Sequence, residues 1–467
     1  MYKRILIANR GEIALRILRC CREMGIEVVV VYSTADANSL AVQLATYTVC
    51  IGPPKAAESY LNQNVIIETA IKMKCEAIHP GFGFLSENAS FVKLCEKNGI
   101  DFIGPSAEII QKMGDKQAAR ELMIAHKVPV VPGSEGLVTN AEEAYIEAKR
   151  IGYPVLIKAS AGGGGRGMRK AFSEAEVKTA YNTAKSEATA AFGNNDMYME
   201  KLILNPRHIE FQILGDKQGH MIHLGERDCS IQRRNQKLME EAPSKVLDEK
   251  KRNEMGKVAI AAAKAAGYYS AGTIEFVVDK EGNYYFIEMN TRIQVEHPVT
   301  EMVTGMNLIR EQIRIAAGLP LLVTQKDVVI SGHAIECRIN AENPANDFRP
   351  SSGKIGFLHF PAGYRIRVDS DLYSGYETSP YYDSMMGKII VHADTRLEAI
   401  RRMRHALEEL IIEGMETNMD FMHLILYHPD YIRGNFDTSF WEEHQEELIK
   451  WNQATLENQG KKGLKYE

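Results

Sequence analysis

The chain has 467 residues, too many for one ordinary hydrophobic core, so several domains or subdomains are expected. Hydrophobic residues at 45% and charged residues at 25% are ordinary for a globular protein in water, and the formal net charge is −5. That balance argues against a nucleic-acid or anionic-membrane surface, and any cationic site must be local.

The first residues hold only a short apolar run, 5–8, which reads as a strand and not as a signal segment. No stretch approaches the ~20 apolar residues of a membrane span, and a cytoplasmic protein is expected. The seven cysteines are scattered without a C-x-x-C pair, as expected of buried, reduced thiols. Residues 12–22 have helical periodicity, 28–32 form a β-branched run, 65–72 read as a helix, and 77–79 and 102–103 as strands. Such alternation predicts an α/β fold with an N-terminal doubly wound parallel sheet. The turn Asn9-Arg10-Gly11-Glu12 lacks G-x-G-x-x-G, so no dinucleotide fingerprint is present. The glycines of His79-Pro80-Gly81-Phe82-Gly83-Phe84 mark a turn at the carboxyl end of a strand, where open sheets bind ligands.

A helix and linker occupy about 112–130. A compact stretch follows, with a helix at 141–151, a strand at 155–159, a glycine cluster, a helix at 173–191 and a strand at 197–202. After Asn205-Pro206 the pattern turns strand-rich, at 208–214, 220–224, 273–279 and 284–290, with a helix at 250–266. Strands at 333–340 and 388–392 and a helix at 397–410 complete the chain, and the polar end is expected to fray. The expected divisions are an N-terminal α/β domain at 1–113, a linker at 114–130, a lid at 131–203, a C-terminal catalytic domain at 204–445 and a polar tail at 446–467.

Two stretches carry chemistry. Lys158 ends a buried strand and is followed by Gly162-Gly163-Gly164-Gly165-Arg166-Gly167, whose bare backbone N–H groups can close around phosphate oxygens. The run is not G-x-x-x-x-G-K-[ST], so a mobile cover over nucleotide phosphates fits better than a P-loop. The second stretch is a hairpin. With Glu281-Gly282 as a two-residue loop, Glu275 falls directly opposite Glu288 on one face. Two facing acids need a cation or a proton between them, and oxygen ligands suit Mg²⁺. From Glu288, every second residue is polar: Asn290, Arg292, Gln294 and Glu296. In extended chain these share the face of the acids and make a catalytic surface.

These residues closely resemble the biotin carboxylase family of the ATP-grasp superfamily. The resemblance runs from Arg4-Ile5-Leu6-Ile7-Ala8-Asn9-Arg10-Gly11-Glu12 to Tyr382-Asp383-Ser384-Met385. It includes the segments 79–88 and 158–168, Glu226-Arg227-Asp228-Cys229-Ser230, Glu288-Met289-Asn290-Thr291-Arg292, Glu296-His297-Pro298 and Glu336-Cys337-Arg338-Ile339-Asn340-Ala341-Glu342. It implies an ATP-grasp lid, an antiparallel-sheet core and a C-terminal α+β part. It further implies that ATP and bicarbonate carboxylate biotin on a carrier protein through a carboxyphosphate-type intermediate. By the same match, Lys116, Lys158, Gly164 and Gly165 would contact phosphates, while Glu200, Lys201 and Ile203 would hold adenine. His208 would lie near the ribose, and Glu275, Glu288 and Asn290 would bind Mg²⁺ or Mn²⁺. Lys237, Arg292 and the Val295 backbone would hold bicarbonate, with Glu296 as its base and Arg338 against biotin. Two positions depart from the pattern: Ala161 stands where some members have glycine, and Asn235 where some have a nucleotide-contacting histidine. No Met-Lys-Met biotin attachment sequence is present, so a separate biotin carboxyl carrier protein and carboxyltransferase are expected, with a homodimer implied by the family. The match favours the first half-reaction of acetyl-CoA carboxylase, with pyruvate or another acyl-CoA as alternative acceptors. Another ATP-grasp ligase or a regulatory nucleotide-binding module are the competing readings.

Overall fold

The computed structural model describes residues 1–160 and 167–463. The chain opens with β1 (Arg4–Ile7), β2 (Glu27–Ser33), β3 (Tyr47–Gly52), β4 (Ala77–His79) and β5 (Asp101–Phe102), a parallel sheet in the order β3-β2-β1-β4-β5. Successive strand residues face opposite sides, and β1 is apolar on both. Ile5 and Ile7 join the helix Gly11–Glu23 in one core, while Leu6 joins the helices Gln63–Lys72 and Ala89–Lys97 in another. The expected helices on both faces are therefore present.

Two helices, Ala107–Gly114 and Lys116–Ala125, stand where one helix and a linker were expected. Asp115 is extended, and its carboxylate accepts from the N–H groups of Gln117 and Ala118, so it caps the second helix and breaks the run. Next comes a small sheet of β6 (Val155–Ala159), β7 (Met168–Ala171) and β8 (Met197–Lys201), with β6 central. The helices Ala141–Ile151 and Val177–Phe192 share its apolar core. Gly164 and Gly165 of the glycine run lie outside the described residues.

The largest sheet is antiparallel, in the order β13-β12-β9-β10-β11-β14-β19-β18. Its strands are β9 (Arg207–Gly215), β10 (Met221–Arg233), β11 (Gln236–Ala242), β12 (Ser270–Val278), β13 (Tyr284–Asn290), β14 (His333–Asn340), β18 (Ile366–Ser370) and β19 (Met385–Ala393). Two short pairs, β15 (Glu342–Asn343) with β16 (Arg349–Pro350) and β17 (Leu358–His359) with β20 (Ile411–Ile412), lie beside it. Several features depart from the sequence expectation. β10 continues well past residue 224, and β11 was not anticipated, because their buried charges mask the strand pattern. The helices His297–Thr304 and Leu308–Ala316 were also unread. As far as Gly463, the residues after 445 do not fray but belong to the helix Phe440–Gly463, with Leu448, fully buried, and Trp451 packed in the core that also holds apolar side chains of β14 and β19. Phe440, Trp441 and Ile449 join them in an apolar stripe that docks an otherwise polar helix. Among the described residues no helix is long and apolar enough to cross a membrane.

Side chains alternate along β11, so Glu240 faces the polar cleft and Glu241 the opposite side. Both Glu241 oxygens lie 3.0 Å from the Arg396 Nε, and the Tyr431 hydroxyl donates to it at 3.2 Å. Burial alone would raise its pKa, but the charge of Arg396 prevails and holds it down to about 2. A depressed carboxylate stabilises the fold above its unfolded value, and that stabilisation is lost as pH falls through the folded one. From an ordinary 4.5 to about 2, the contribution at neutral pH is about 3 kcal/mol. Glu241→Gln should therefore destabilise most at pH 7, and its deficit in urea unfolding should shrink by about half at pH 3. A deficit independent of pH would contradict this electrostatic account.

Candidate functional site

Glu275 of β12 stands directly opposite Glu288 of β13, as the sequence arithmetic expected. The route to that pairing differs, however. The Asp279 N–H donates to the Asn283 carbonyl at 2.9 Å, so the loop holds three residues, Lys280 to Gly282, with Gly282 at φ +83°. Val278 pairs with Tyr284 and Phe276 with Phe286, after which Ile287 is an extra residue and Glu275 meets Glu288. A longer turn and a β-bulge offset one another.

Glu275 is fully engaged. Its Oε1 accepts from the Asn290 Nδ2 and Gln294 Nε2 at 2.7 Å each and lies 3.3 Å from the Lys237 Nζ. His208 Nε2 meets its Oε2 at 2.6 Å. Burial works against its charge, but Lys237 and His208 outweigh that and hold the carboxyl well below the usual range. His208 is raised in turn: burial opposes its charge, and Glu275 overcomes it. Glu288 contrasts with its neighbour. Among the described residues no donor reaches its carboxylate, and burial followed by repulsion from Glu275 raises its pKa. A half-buried acid short of positive charge, facing a second acid, is the donor set a hard divalent cation fits. Lys116, at the first position of its helix, and Lys158, at the end of β6, both exert charge on Glu288. A cation at a helix N-terminus opposes the helix dipole, so Lys116 gains nothing locally from its place.

β13 ends at Asn290, and residues 291–296 do not continue as the extended alternation expected. Glu87 draws them aside. It accepts from the Thr291 N–H at 3.0 Å and from the Arg292 Nε at 3.0 Å. Arg292 also donates to the Asn290 Oδ1 at 3.0 Å. Glu296 then stands at the N-cap position of the helix His297–Thr304 without a side-chain cap bond, which leaves its carboxylate free to reach the cleft. Its Oε1 accepts from the Lys237 Nζ at 2.7 Å, and its Oε2 from an Arg338 Nη at 3.0 Å. Burial would raise its pKa, but Lys237, Arg338 and Arg227 keep it well below the carboxylate range. Lys237 touches Glu210 as well, so one ammonium is ringed by Glu210, Glu275 and Glu296. Arg338 is anchored on its other side by the Glu240 Oε1 at 2.6 Å.

In the lid, Lys158 and Glu200 lie on neighbouring strands and pair at 2.6 Å, with Arg120 Nη1 3.5 Å from the other Glu200 oxygen. The Lys201 ammonium donates to the carbonyls of Gly152 and Tyr153, and its N–H to the Pro132 carbonyl at 2.7 Å. Ile203 follows in the half-buried crossing from lid to β9.

With this arrangement in place, comparison with known proteins is decisive. The profile of the biotin carboxylase N-terminal domain matches residues 1–110, and that of the carbamoyl-phosphate synthase L chain ATP-binding domain matches 115–324. The profile of the biotin carboxylase C-terminal domain matches 336–443. A biotin carboxylase from Nostoc sp. is 57% identical over 442 residues, 95% of this chain and 99% of the relative. The chain belongs to the biotin carboxylase family. It is an ATP-grasp ligase. A crystal structure of a biotin carboxylase–β,γ-ATP complex from Campylobacter jejuni superimposes with a TM-score of 0.93 at 51% identity, covering 95% of this chain and 99% of that one. The biotin carboxylase domain dimer of the Hydrogenobacter thermophilus 2-oxoglutarate carboxylase, bound to MgADP, ADP and bicarbonate, gives 0.92 at 51% identity, covering 96% and 99%.

Sequence patterns assigned no role to the residues beneath the site, Glu87, Glu210, Arg227 and Glu240, although Glu87 and Arg227 lie in segments that carried the resemblance. Glu210 and Arg227 face each other across β9 and β10, and nothing in their spacing marks them, because they pair between strands and not along one. Asn235 is exposed at the β10–β11 turn, where Arg234 and Asn235 have φ of +49° and +63°. Both central residues of such a turn need positive φ, which asparagine tolerates better than histidine's bulk. The turn accounts for the residue without a ligand.

Proposed function

We propose that the chain carboxylates biotin on a carrier protein, using ATP and bicarbonate. The observation that carries this reading is Glu296 held between Lys237 and Arg338, beside the Glu275–Glu288 pair. Lys237, Arg292 and the Val295 backbone hold bicarbonate. Glu296 takes its proton, the freed oxygen attacks the γ-phosphorus of ATP, and ADP leaves. The mixed anhydride of carbonic and phosphoric acids then breaks to CO₂ and phosphate. That phosphate takes the ureido N–H proton of biotin, Arg338 stabilises the charge on the resulting enolate-like oxygen, and the ureido nitrogen attacks CO₂ to form the N–carboxyl bond. Lys116, Lys158, Gly164 and Gly165 hold the phosphates, Glu200, Lys201 and Ile203 the adenine, and His208 the ribose side, with Asn235 at the rim. Glu275 and Glu288, with Asn290, hold Mg²⁺ or Mn²⁺, which when bound neutralises phosphate charge.

The Hydrogenobacter relative is named for 2-oxoglutarate and the Nostoc relative for biotin alone. We assign this chain to the first half-reaction of acetyl-CoA carboxylase, working in the cytoplasm as a homodimer with a biotin carboxyl carrier protein and a carboxyltransferase. All the cysteines are free thiols, as a reducing compartment allows. The test is ATP hydrolysis by the purified chain. Hydrolysis should require bicarbonate, rise with free biotin and stop when EDTA removes divalent cations. Turnover indifferent to bicarbonate and biotin would overturn the reading, and native carrier and transferase co-purifying with an enzyme of another acceptor would overturn the assignment to acetyl-CoA.

A further inference from the structure

Lys388 of β19 pairs with Arg338 of β14 across the antiparallel ladder, so their side chains stand next to one another on one face. Arg338 reaches the cleft. Lys388 is fully buried and reaches the loop before Glu296, where its Nζ donates to the Val295 carbonyl at 2.7 Å. Glu12 Oε1, from the first helix of the N-terminal domain, lies 3.0 Å from the same ammonium. The preceding carbonyl is pinned too. Gln294 accepts from the His297 Nδ1 at 2.8 Å and from the His297 N–H at 3.3 Å. His297 is fully buried, and burial followed by the charges of Lys388 and Arg16 lowers its pKa well below the usual value. It is therefore neutral, with its one proton on Nδ1 toward Gln294.

A trans peptide is planar, and its N–H points opposite to its C=O. Pinning the Gln294 carbonyl on one side turns the Val295 N–H to the other. Pinning the Val295 carbonyl likewise sets the Glu296 N–H and fixes where the Glu296 side chain leaves the backbone. We infer that Lys388 is a positioning residue for the reaction: by holding the Val295 carbonyl it fixes the Val295–Glu296 peptide and so aims the Glu296 carboxylate between Lys237 and Arg338. The inference rests on the reading of Glu296 as the base.

A simpler role is charge balance, since Glu12 and Glu336 are buried acids around this ammonium and their oxygens lack hydrogen-bond partners. Three variants separate the two roles. Glu12→Gln keeps the bond to Val295 and removes one acid. Lys388→Met removes the bond, and Lys388→Met with Glu12→Gln removes it without leaving the Glu12 charge buried alone. In bicarbonate-dependent ATP hydrolysis, Lys388→Met and the double variant should each lose about 100-fold in kcat/KM for bicarbonate. Their Kd for ATP should stay within about twofold of wild type, since a misplaced base does not touch the nucleotide. Glu12→Gln should stay within about threefold in kcat/KM. If Lys388→Met does not fold, the double variant carries the measurement. Wild-type kinetics in the double variant, or an equal loss in Glu12→Gln, would overturn the positioning role and leave Lys388 as a counter-ion. A folded Glu296→Gln with undiminished bicarbonate-dependent turnover would instead remove the reading on which the inference stands.

Discussion

Glu296→Gln is expected to cut bicarbonate-dependent ATP hydrolysis by about 10²- to 10⁴-fold, the range a positioned general base supplies. The variant should fold, because Lys237 keeps Glu210 and Glu275 as partners and Arg338 keeps Glu240. ATP binding should persist, since none of the Glu296 contacts reaches the lid. A loss of less than about threefold would assign the proton transfer elsewhere.

A base held far below its usual pKa is a weak one. The surroundings of Glu296 supply the remedy. Lys237 and Arg338 depress it by direct contact, although each also pairs with other buried acids. Bicarbonate brought against Lys237 and Arg292 takes a share of that positive charge, and the hold on Glu296 weakens as the substrate arrives. The base is thus strongest in the complex that needs it. The same logic places the acid limb of the pH–rate profile away from Glu296, which is ionised throughout. Glu240, raised to about 7 chiefly by burial against the pull of Arg338, is one group beside the cleft that changes charge near neutrality, and His208 and Glu288 are raised there as well.

Local patterns revealed the fold where the apolar positions follow an element's own period or form a short unbroken run. The strands at Ala77–His79 and Val155–Ala159 and the helix Ala141–Ile151 have the bounds their sequences suggest. The pattern fails at β10 and β11, whose polar side chains are buried because they pair across strands. Gly225-Glu226-Arg227-Asp228-Cys229-Ser230 resembles a loop until Arg252 binds Glu226, Glu210 binds Arg227, and Ser244 and Arg207 bind Asp228. Those partners are as far as 26 residues away, and no window on the sequence joins them. The facing acids were legible for a reason only half correct, since the turn and the bulge each shift the register by one. Convergence at Glu296 was legible as a list of residues but not as a path, because Glu87 from the N-terminal domain bends the chain after Asn290.

Arg227→Lys is expected to be nearly as damaging as Arg227→Met, although it keeps the charge. The guanidinium is fully buried and uses every donor it has. Its Nε bonds Glu210, its Nη1 bonds the Gln212 Oε1 and Thr300 Oγ1 at 2.7 and 2.9 Å, and its Nη2 bonds the Thr273 Oγ1 and Gln294 Oε1 at 3.2 and 2.7 Å. An ammonium is a point charge with three donors and cannot span that fork. Each buried partner it abandons costs about 1–3 kcal/mol, and breaking a buried ion pair outright costs about 3–5 kcal/mol. Urea denaturation should show losses of that order for both variants, and equal stability of Arg227→Lys and wild type would refute the argument. Activity should fall with stability, because Arg227 closes a ring: it binds Glu210, Glu210 binds Lys237, Lys237 approaches Glu275, Glu275 binds Gln294, and Gln294 returns to Arg227. Lys237 and Glu275, the cation and the acid at the heart of the site, are both members of that ring. Opening it at its most buried link frees the groups that hold bicarbonate and the divalent cation in register with one another.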